Sequence, residues 1–182
     1  MTALYTTLAL LGGMFAWSFL EYAMHHWYGH IANGRNHFSR EHLKHHSQAF
    51  YFSPTGQKIV FAGLLTAVVL PVSIWGWGIA IGGAFTVGLV GAYAGYEWLH
   101  HRIHVSAPRT KYTRWSAHHH FSHHFACPKK NHGVTSPLWD YVFGTYQQPP
   151  RLRVPKRRAM PWLIDPNTGE VRSEYSDNYQ LR

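Results

Sequence analysis

Three stretches of the chain read as long apolar helix. Residues 3–24 hold one charge, Glu21. A helix of that length rises about 33 Å, enough to cross a bilayer core. From Ile59 to Tyr96 there is no charged residue over 38 positions, too many for one span and enough for two joined by a tight turn. Pro71 and Trp75-Gly76-Trp77-Gly78 mark the break, and tryptophan favours the membrane interface. The pattern therefore predicts about three spans, near 3–24, 58–75 and 78–99. Gly88, Gly91 and Gly95 lie in the last, where small residues permit close helix packing in lipid. The start of the chain lacks the basic region and small-residue cleavage site of a signal peptide, so the first span is expected to be retained.

Between and after these runs the pattern turns polar. Asn33-Gly34 reads as a turn. Residues 36–47 read as an amphipathic, interfacial helix. Residues 105–117 form a basic connection, and 132–145 a turn followed by a short aromatic segment. The remainder is proline-rich and polar, with Arg151, Arg153, Lys156, Arg157 and Arg158 clustered. The expected organisation is a membrane-embedded domain over 1–146 and a basic tail over 147–182, either solvated or in contact with anionic headgroups.

Composition sharpens this picture. Charged residues are 14% and hydrophobic residues 46%, a balance that favours a membrane protein over a soluble domain. The net charge of +9 is accompanied by no zinc-finger, RRM or helix-turn-helix pattern, so no nucleic-acid partner is expected. Lys and Arg number four in residues 25–58 and thirteen in 100–182, with none in 1–2 or 75–78. The positive-inside rule then places the polar segments and the C-terminus in the cytoplasm and the N-terminus outside. The single cysteine, Cys127, excludes an intrachain disulfide and reads as a bystander.

The polar segments are dominated by histidine. His120, His123 and His124 have the spacing H-x-x-H-H, as do His42, His45 and His46. Positions three and four apart share a helical face, so each trio can point at one spot. His100 and His104 are spaced i, i+4. After the first span, His26 and His30 share a helical face, whereas His25 and His30 do so only if the helix ends or bulges between them. Imidazole is the commonest protein ligand for zinc, iron, copper and nickel, and four such groups in one chain signal a metal site. Glu21 and Glu97 each precede a histidine group at the end of an apolar run. Each reads as an acceptor for an imidazole N–H that fixes a ligand ring.

The order EYxxH-x4-H, HxxHH, YExxHxxxH, HxxHHF, GVTSxxWDxVFGT resembles the fatty acid hydroxylase / sterol desaturase superfamily, most of all its fatty acid 2-hydroxylase branch. The resemblance covers about residues 17–146. It implies an all-α integral membrane enzyme whose cytoplasmic, histidine-rich helical cap holds a dimetal centre, two iron ions when active, with zinc able to replace iron on purification. Carried over by motif, the ligands are His25, His30, His42, His45, His46, His100, His104, His120, His123 and His124. His26, His101, His118, His119 and His132 fall outside the motif positions. His119 and Asp140 join Glu21 and Glu97 as expected supports of the ligands. The chain departs from the branch in having one span before His25 rather than a hairpin, a short loop after His46, and His132 where an aromatic residue often stands.

The implied reaction is hydroxylation of a lipid acyl chain, near its carboxyl end, with O₂ and electrons from an external donor, a ferredoxin or a cytochrome with its reductase. Side chains alone cannot oxidise an unactivated C–H bond; a redox metal with O₂ can. A carboxylate-bridged di-iron bundle needs two Glu-x-x-His motifs, and Glu97-x-x-His100 is the only one here. The alternatives are a sterol or carotenoid hydroxylase or desaturase of the same superfamily, and a non-catalytic membrane metal-binding protein.

Overall fold

The computed structural model describes residues 1–48 and 50–182. Helix dominates: α1 (Thr2–Ala23), α2 (His37–Ser47), α3 (Thr55–Val105), α4 (Lys111–Phe125) and the short α5 (Leu138–Val142). The all-α expectation needs one amendment, because β1 (Leu152–Val154) and β2 (Tyr179–Leu181) pair in parallel, Leu152 opposite Tyr179 and Val154 opposite Leu181. The chain divides into two compact units, Met1–Glu21 with Ser53–Trp98, and Tyr22–Phe52 with Leu99–Arg182.

The first unit contains α1 and most of α3. The helix α3 is two arms that reverse at Gly78, whose φ of 78° and ψ of 169° suit only glycine. Pro71 lies inside the first arm, so the break falls at the end of the Trp-Gly-Trp-Gly stretch alone. The arms run antiparallel. The Tyr93 hydroxyl donates to the Lys58 carbonyl, and Ser73 Oγ donates to the Gly82 carbonyl and also meets Thr86 Oγ1. Trp17, Leu89 and Tyr93 form the core of the unit. At Gly13 and Gly88 the backbones of α1 and α3 approach so closely that a Cβ would lie 2.0 Å from the Phe85 and Leu10 carbonyl oxygens. Gly91 and Gly95 face open space, so of the three glycines expected to permit close packing only Gly88 does so.

Two helical stretches, Thr2–Ile31 and Thr55–Val105, are long and apolar enough to cross a membrane, and only 11% and 6% of their most apolar windows are buried. A stripe at Val60, Leu64, Val68 and Val72 is more than 60% exposed. A contiguous apolar face of this kind is disfavoured in water and stable in lipid. The protein is therefore an integral membrane protein.

The second unit is built around α4. A Thr110–Thr113 capping box starts this helix, and every residue from Ser116 to Phe125 is buried. A helix buried all round is normally apolar; this one carries five histidines and two serines, so each polar group needs a partner. Ser116 Oγ donates to the Val134 carbonyl, Ser122 Oγ to the His118 carbonyl, and His119 to Asp140.

The C-terminal segment packs against the same helix. Leu152, Val154, Met160 and Leu163 are at most 1% exposed. Trp162 Nε1 donates to the Ile103 carbonyl in the last turns of α3. Residues 152–182 are thus folded rather than a solvated tail. Their apolar side chains are spaced irregularly among prolines and arginines, which hid them from a periodicity reading.

Candidate metal centre

The region between α1 and α2 decides the first histidine group. Residues Met24–Ile31 form a π-helix, in which hydrogen bonds run to the fifth residue on. That widening places His25 and His30, five apart, on one face. His26 turns the other way: its Nδ1 meets the Tyr22 hydroxyl at 2.9 Å and its ring stacks on His132. Asn33 and Gly34, both at positive φ, reverse the chain. Helix α2 then starts at Asn36, whose side chain accepts from Ser39 N at 2.7 Å. Ser39 Oγ donates to the Gly29 carbonyl, tying α2 to the π-helix.

The ten histidines singled out by motif come together as two groups of five. One comprises His25, His30, His42, His46 and His123; the other His45, His100, His104, His120 and His124. Within each, one ligating atom per residue lies within 4.8 Å of all the others. Both groups draw on α2 and α4: adjacent histidines at 45 and 46, and at 123 and 124, point to different groups. In the first group the Nε2 atoms of His25, His30 and His46 lie 2.8, 2.9 and 3.0 Å from that of His123, and His42 Nε2 lies 2.8 Å from His30 Nε2. In the second, His100 Nε2 is 3.1 Å from both His45 and His120, and His104 is 2.9 Å from His120.

These spacings fit metal ions. Metal–imidazole bonds of about 2.1 Å set donors at right angles about 3 Å apart. Between His25 and His123 they do not fit a hydrogen bond. His25 Nδ1 donates to the His132 carbonyl at 2.5 Å, His123 Nδ1 to the Lys130 carbonyl at 2.7 Å, and His45 Nδ1 to the Tyr51 carbonyl at 2.6 Å. A carbonyl only accepts, so each Nδ1 holds the proton and each neutral Nε2 presents a bare lone pair. The facing lone pairs of His25 and His123 need a cation between them. A proton is a poor candidate. Burial, reinforced by the neighbouring imidazoles, holds His42, His46, His120, His123 and His124 well below the usual histidine range. Both ring nitrogens of His124 are buried without a hydrogen-bond partner. Each group can therefore hold one metal ion.

The expected supports are placed differently from one another. Asp140, fully buried, accepts from the backbone N–H groups of His132 and Gly133 at 2.8 Å, from Thr145 Oγ1 at 2.7 Å and from His119 Nε2 at 3.1 Å. Burial alone would raise its pKa, but these four donors hold it below the usual carboxylate range. It thereby fixes the loop whose His132 carbonyl orients His25. His119 reaches Asp140 and stacks on Trp115 and Tyr146. Glu97 pairs with Lys58 at 2.6 Å. Glu21 is 3% exposed, and the proton on His25 Nδ1 goes to the His132 carbonyl. His118 packs on Tyr179, and His101 lies against Phe52.

Sequence reasoning missed the carbonyls of Tyr51, Lys130 and His132 as the groups that fix ligand rings, because a backbone oxygen leaves no mark on residue type. It also missed Arg158, whose Nη1 donates to the His46 carbonyl at 3.0 Å.

Comparison with known proteins agrees with this architecture. The dihydroceramide fatty acyl 2-hydroxylase FAH2 of Arabidopsis thaliana is 30% identical over 138 residues, covering 73% of this chain and 58% of that protein. The human fatty acid 2-hydroxylase is 32% identical over 146 residues, covering 73% of this chain and 38% of its own length. The chain thus spans between a third and two thirds of the length of these relatives. A solved structure, full-length scs7p with only its hydroxylase domain visible, shares the fold at a TM-score of 0.62 and 23% identity, covering 79% of this chain and 57% of that one. Residues 10–145, which hold all ten clustered histidines, match the model of the fatty acid hydroxylase family, and the chain belongs to that family.

Proposed function

We propose that this protein is a membrane oxygenase that hydroxylates a lipid acyl chain beside its carboxyl carbon, using two iron ions, O₂ and electrons from an external donor. The observation that carries the reading is the pair of five-imidazole groups whose donors are spaced for right-angled coordination. Structural zinc almost always takes four ligands in a tetrahedron. Five imidazoles in each group exceed that number and would suit a metal of higher coordination number, such as iron. Bound iron supplies what no side chain can, the reductive activation of O₂ for attack on an unactivated C–H bond.

The chain's own residues do the rest. The Tyr51, Lys130 and His132 carbonyls lock three rings with Nε2 inward. Burial keeps the imidazoles neutral and excludes water. Asp140 holds the loop behind His25. We read α1 and the two arms of α3 as three spans, with the histidine groups and the C-terminus on the cytoplasmic side, where the basic residues lie. We read 1–146 as the catalytic part and 147–182 as an appended basic segment. The names of the relatives favour position 2 of the acyl chain, and the ten histidines are the assigned ligands.

Lipid mass spectrometry of cells with and without the gene tests the reading. A mass gain of one oxygen, placed by fragmentation at carbon 2 of an acyl chain, is expected. Oxygen gained on a sterol or carotenoid ring would move the protein to another branch, and intact metal with no oxygenated lipid would favour a metal-binding role.

A further inference from the structure

A pocket of about 740 Å³ lies beside the histidine groups, lined by Ser47, Gln48, Phe50, Tyr51, Arg157 and Arg158. Two of its walls are bonded to neighbouring candidate ligands. The Tyr51 carbonyl accepts from His45, a member of the second group, and Arg158 donates to the carbonyl of His46, a member of the first. The pocket wall is therefore bonded to one residue of each group. Its charge environment is cationic. Lys44 Nζ lies 3.8 Å over the Tyr51 ring, Arg157 is exposed, and the Arg158 guanidinium stacks over Phe125 with its Nε buried and without a hydrogen-bond partner. The nearby acid, Glu41, accepts the Tyr51 hydroxyl. Phe50 and Tyr51 add apolar wall. Both arginines lie beyond the family match, which ends at 145.

We propose that this pocket is a binding site for the anionic end, carboxylate or phosphate, of an amphiphilic substrate lipid. Guanidinium groups bind such oxyanions through paired charge-assisted hydrogen bonds, and the aromatic wall takes the first carbons of the chain. Seated there, the anionic end brings the carbons beside it to the histidine groups. The inference rests on the proposed hydroxylation for the identity of the lipid as substrate, whereas its test reads binding alone.

The probes are octyl phosphate, octanoate, inorganic phosphate and octanol, titrated calorimetrically into the metal-loaded, full-length protein in neutral detergent. Octyl phosphate and octanoate should bind and octanol should not. Arg157→Gln, an exposed position that touches no histidine of either group, should weaken the two anionic amphiphiles about tenfold, with metal per chain unchanged. Lys129→Gln should leave binding as it is. Equal affinity in wild type and Arg157→Gln, or octanol binding as tightly as octyl phosphate, would overturn the site. Inorganic phosphate binding as tightly as octyl phosphate would overturn the lipid assignment and leave a free-anion site. Binding of an acidic redox protein that is lost in Arg157→Gln, with no binding of the small anions, would overturn it in favour of donor docking. Loss of anion binding with hydroxylation intact counts against this site only; anion binding without hydroxylation counts against the proposed function only.

Discussion

The role of a histidine here is set by what holds its second nitrogen. His123 has its Nδ1–H on the Lys130 carbonyl and its Nε2 among three other imidazoles, whereas His118 packs on Tyr179. His123→Ala is therefore expected to lose metal and activity, and His118→Ala to keep both; metal per chain in the purified variants ranks them, and equal loss would contradict the assignment. Asp140→Asn keeps the shape but offers one acceptor oxygen to a site that now receives four hydrogen bonds. The expected loss is about 10–100-fold in metal affinity or activity, read by competition with a chelator. Glu97, paired with Lys58 in the other unit, should matter far less to metal than Asp140. Acid acts on the same groups. The imidazoles of His42, His46, His120, His123 and His124 are held below their ordinary pKa, so below about pH 6.5 the unfolded chain binds more protons than the folded one. Their contribution to stability is thus fully present above that pH and declines as pH falls through it. Protons compete with metal for the same lone pairs, but the lowered folded pKa values move that competition below the ordinary histidine range of about 6.5, so metal should stay bound as pH falls through that range and dissociate only in more acidic buffer, followed as metal retained after gel filtration. Loss of metal already near pH 6.5, as for ordinary histidines, would contradict this.

At the scale of the element, the π-helix and α2 form one device. The i, i+4 pairs His42 with His46, His100 with His104 and His120 with His124 were legible as soon as helices were assigned, but neither trio points at one spot, because His45 and His123 each serve the other group. The pairing of His25 with His30 was not legible, because an α-helix would pair His26 with His30, and only the wider π turn reverses the choice. Nor did the spacing divide the ten histidines into groups. Adjacent residues 45 and 46 serve different groups because α2 and α4 each pass between the two sites, a fact of packing rather than of sequence. Gly29 marks the contact within this device: a Cβ there would lie 3.1 Å from His42 Cδ2 and 3.2 Å from the Met24 carbonyl. Gly29→Val should push His42 out of place and empty the first group while sparing the second, halving the metal per chain. Unchanged stoichiometry would show that the π turn can give way without affecting the site.

At the scale of the molecule, the apolar runs announced a membrane protein, and the hairpin turn fell at the expected Trp-Gly-Trp-Gly stretch. The folded C-terminal segment was hidden, since its buried residues follow no period of two or three to four and join two strands of three residues each. Its contacts predict that the chain cut after residue 147 loses the cover of α4 and the bond from Trp162 to Ile103, and with them metal binding; a truncated chain that keeps full metal would show the segment dispensable. The central claim is that two buried groups of five imidazoles turn O₂ on a lipid acyl chain. It is tested most directly by supplying the purified protein with ferrous iron, an electron-donor system, an acyl lipid and ¹⁸O₂, and locating the label by fragmentation. One ¹⁸O atom at carbon 2 of the acyl chain, absent in His123→Ala, is the predicted result. No label in the lipid, with both groups filled and electrons reaching the metal, would contradict it.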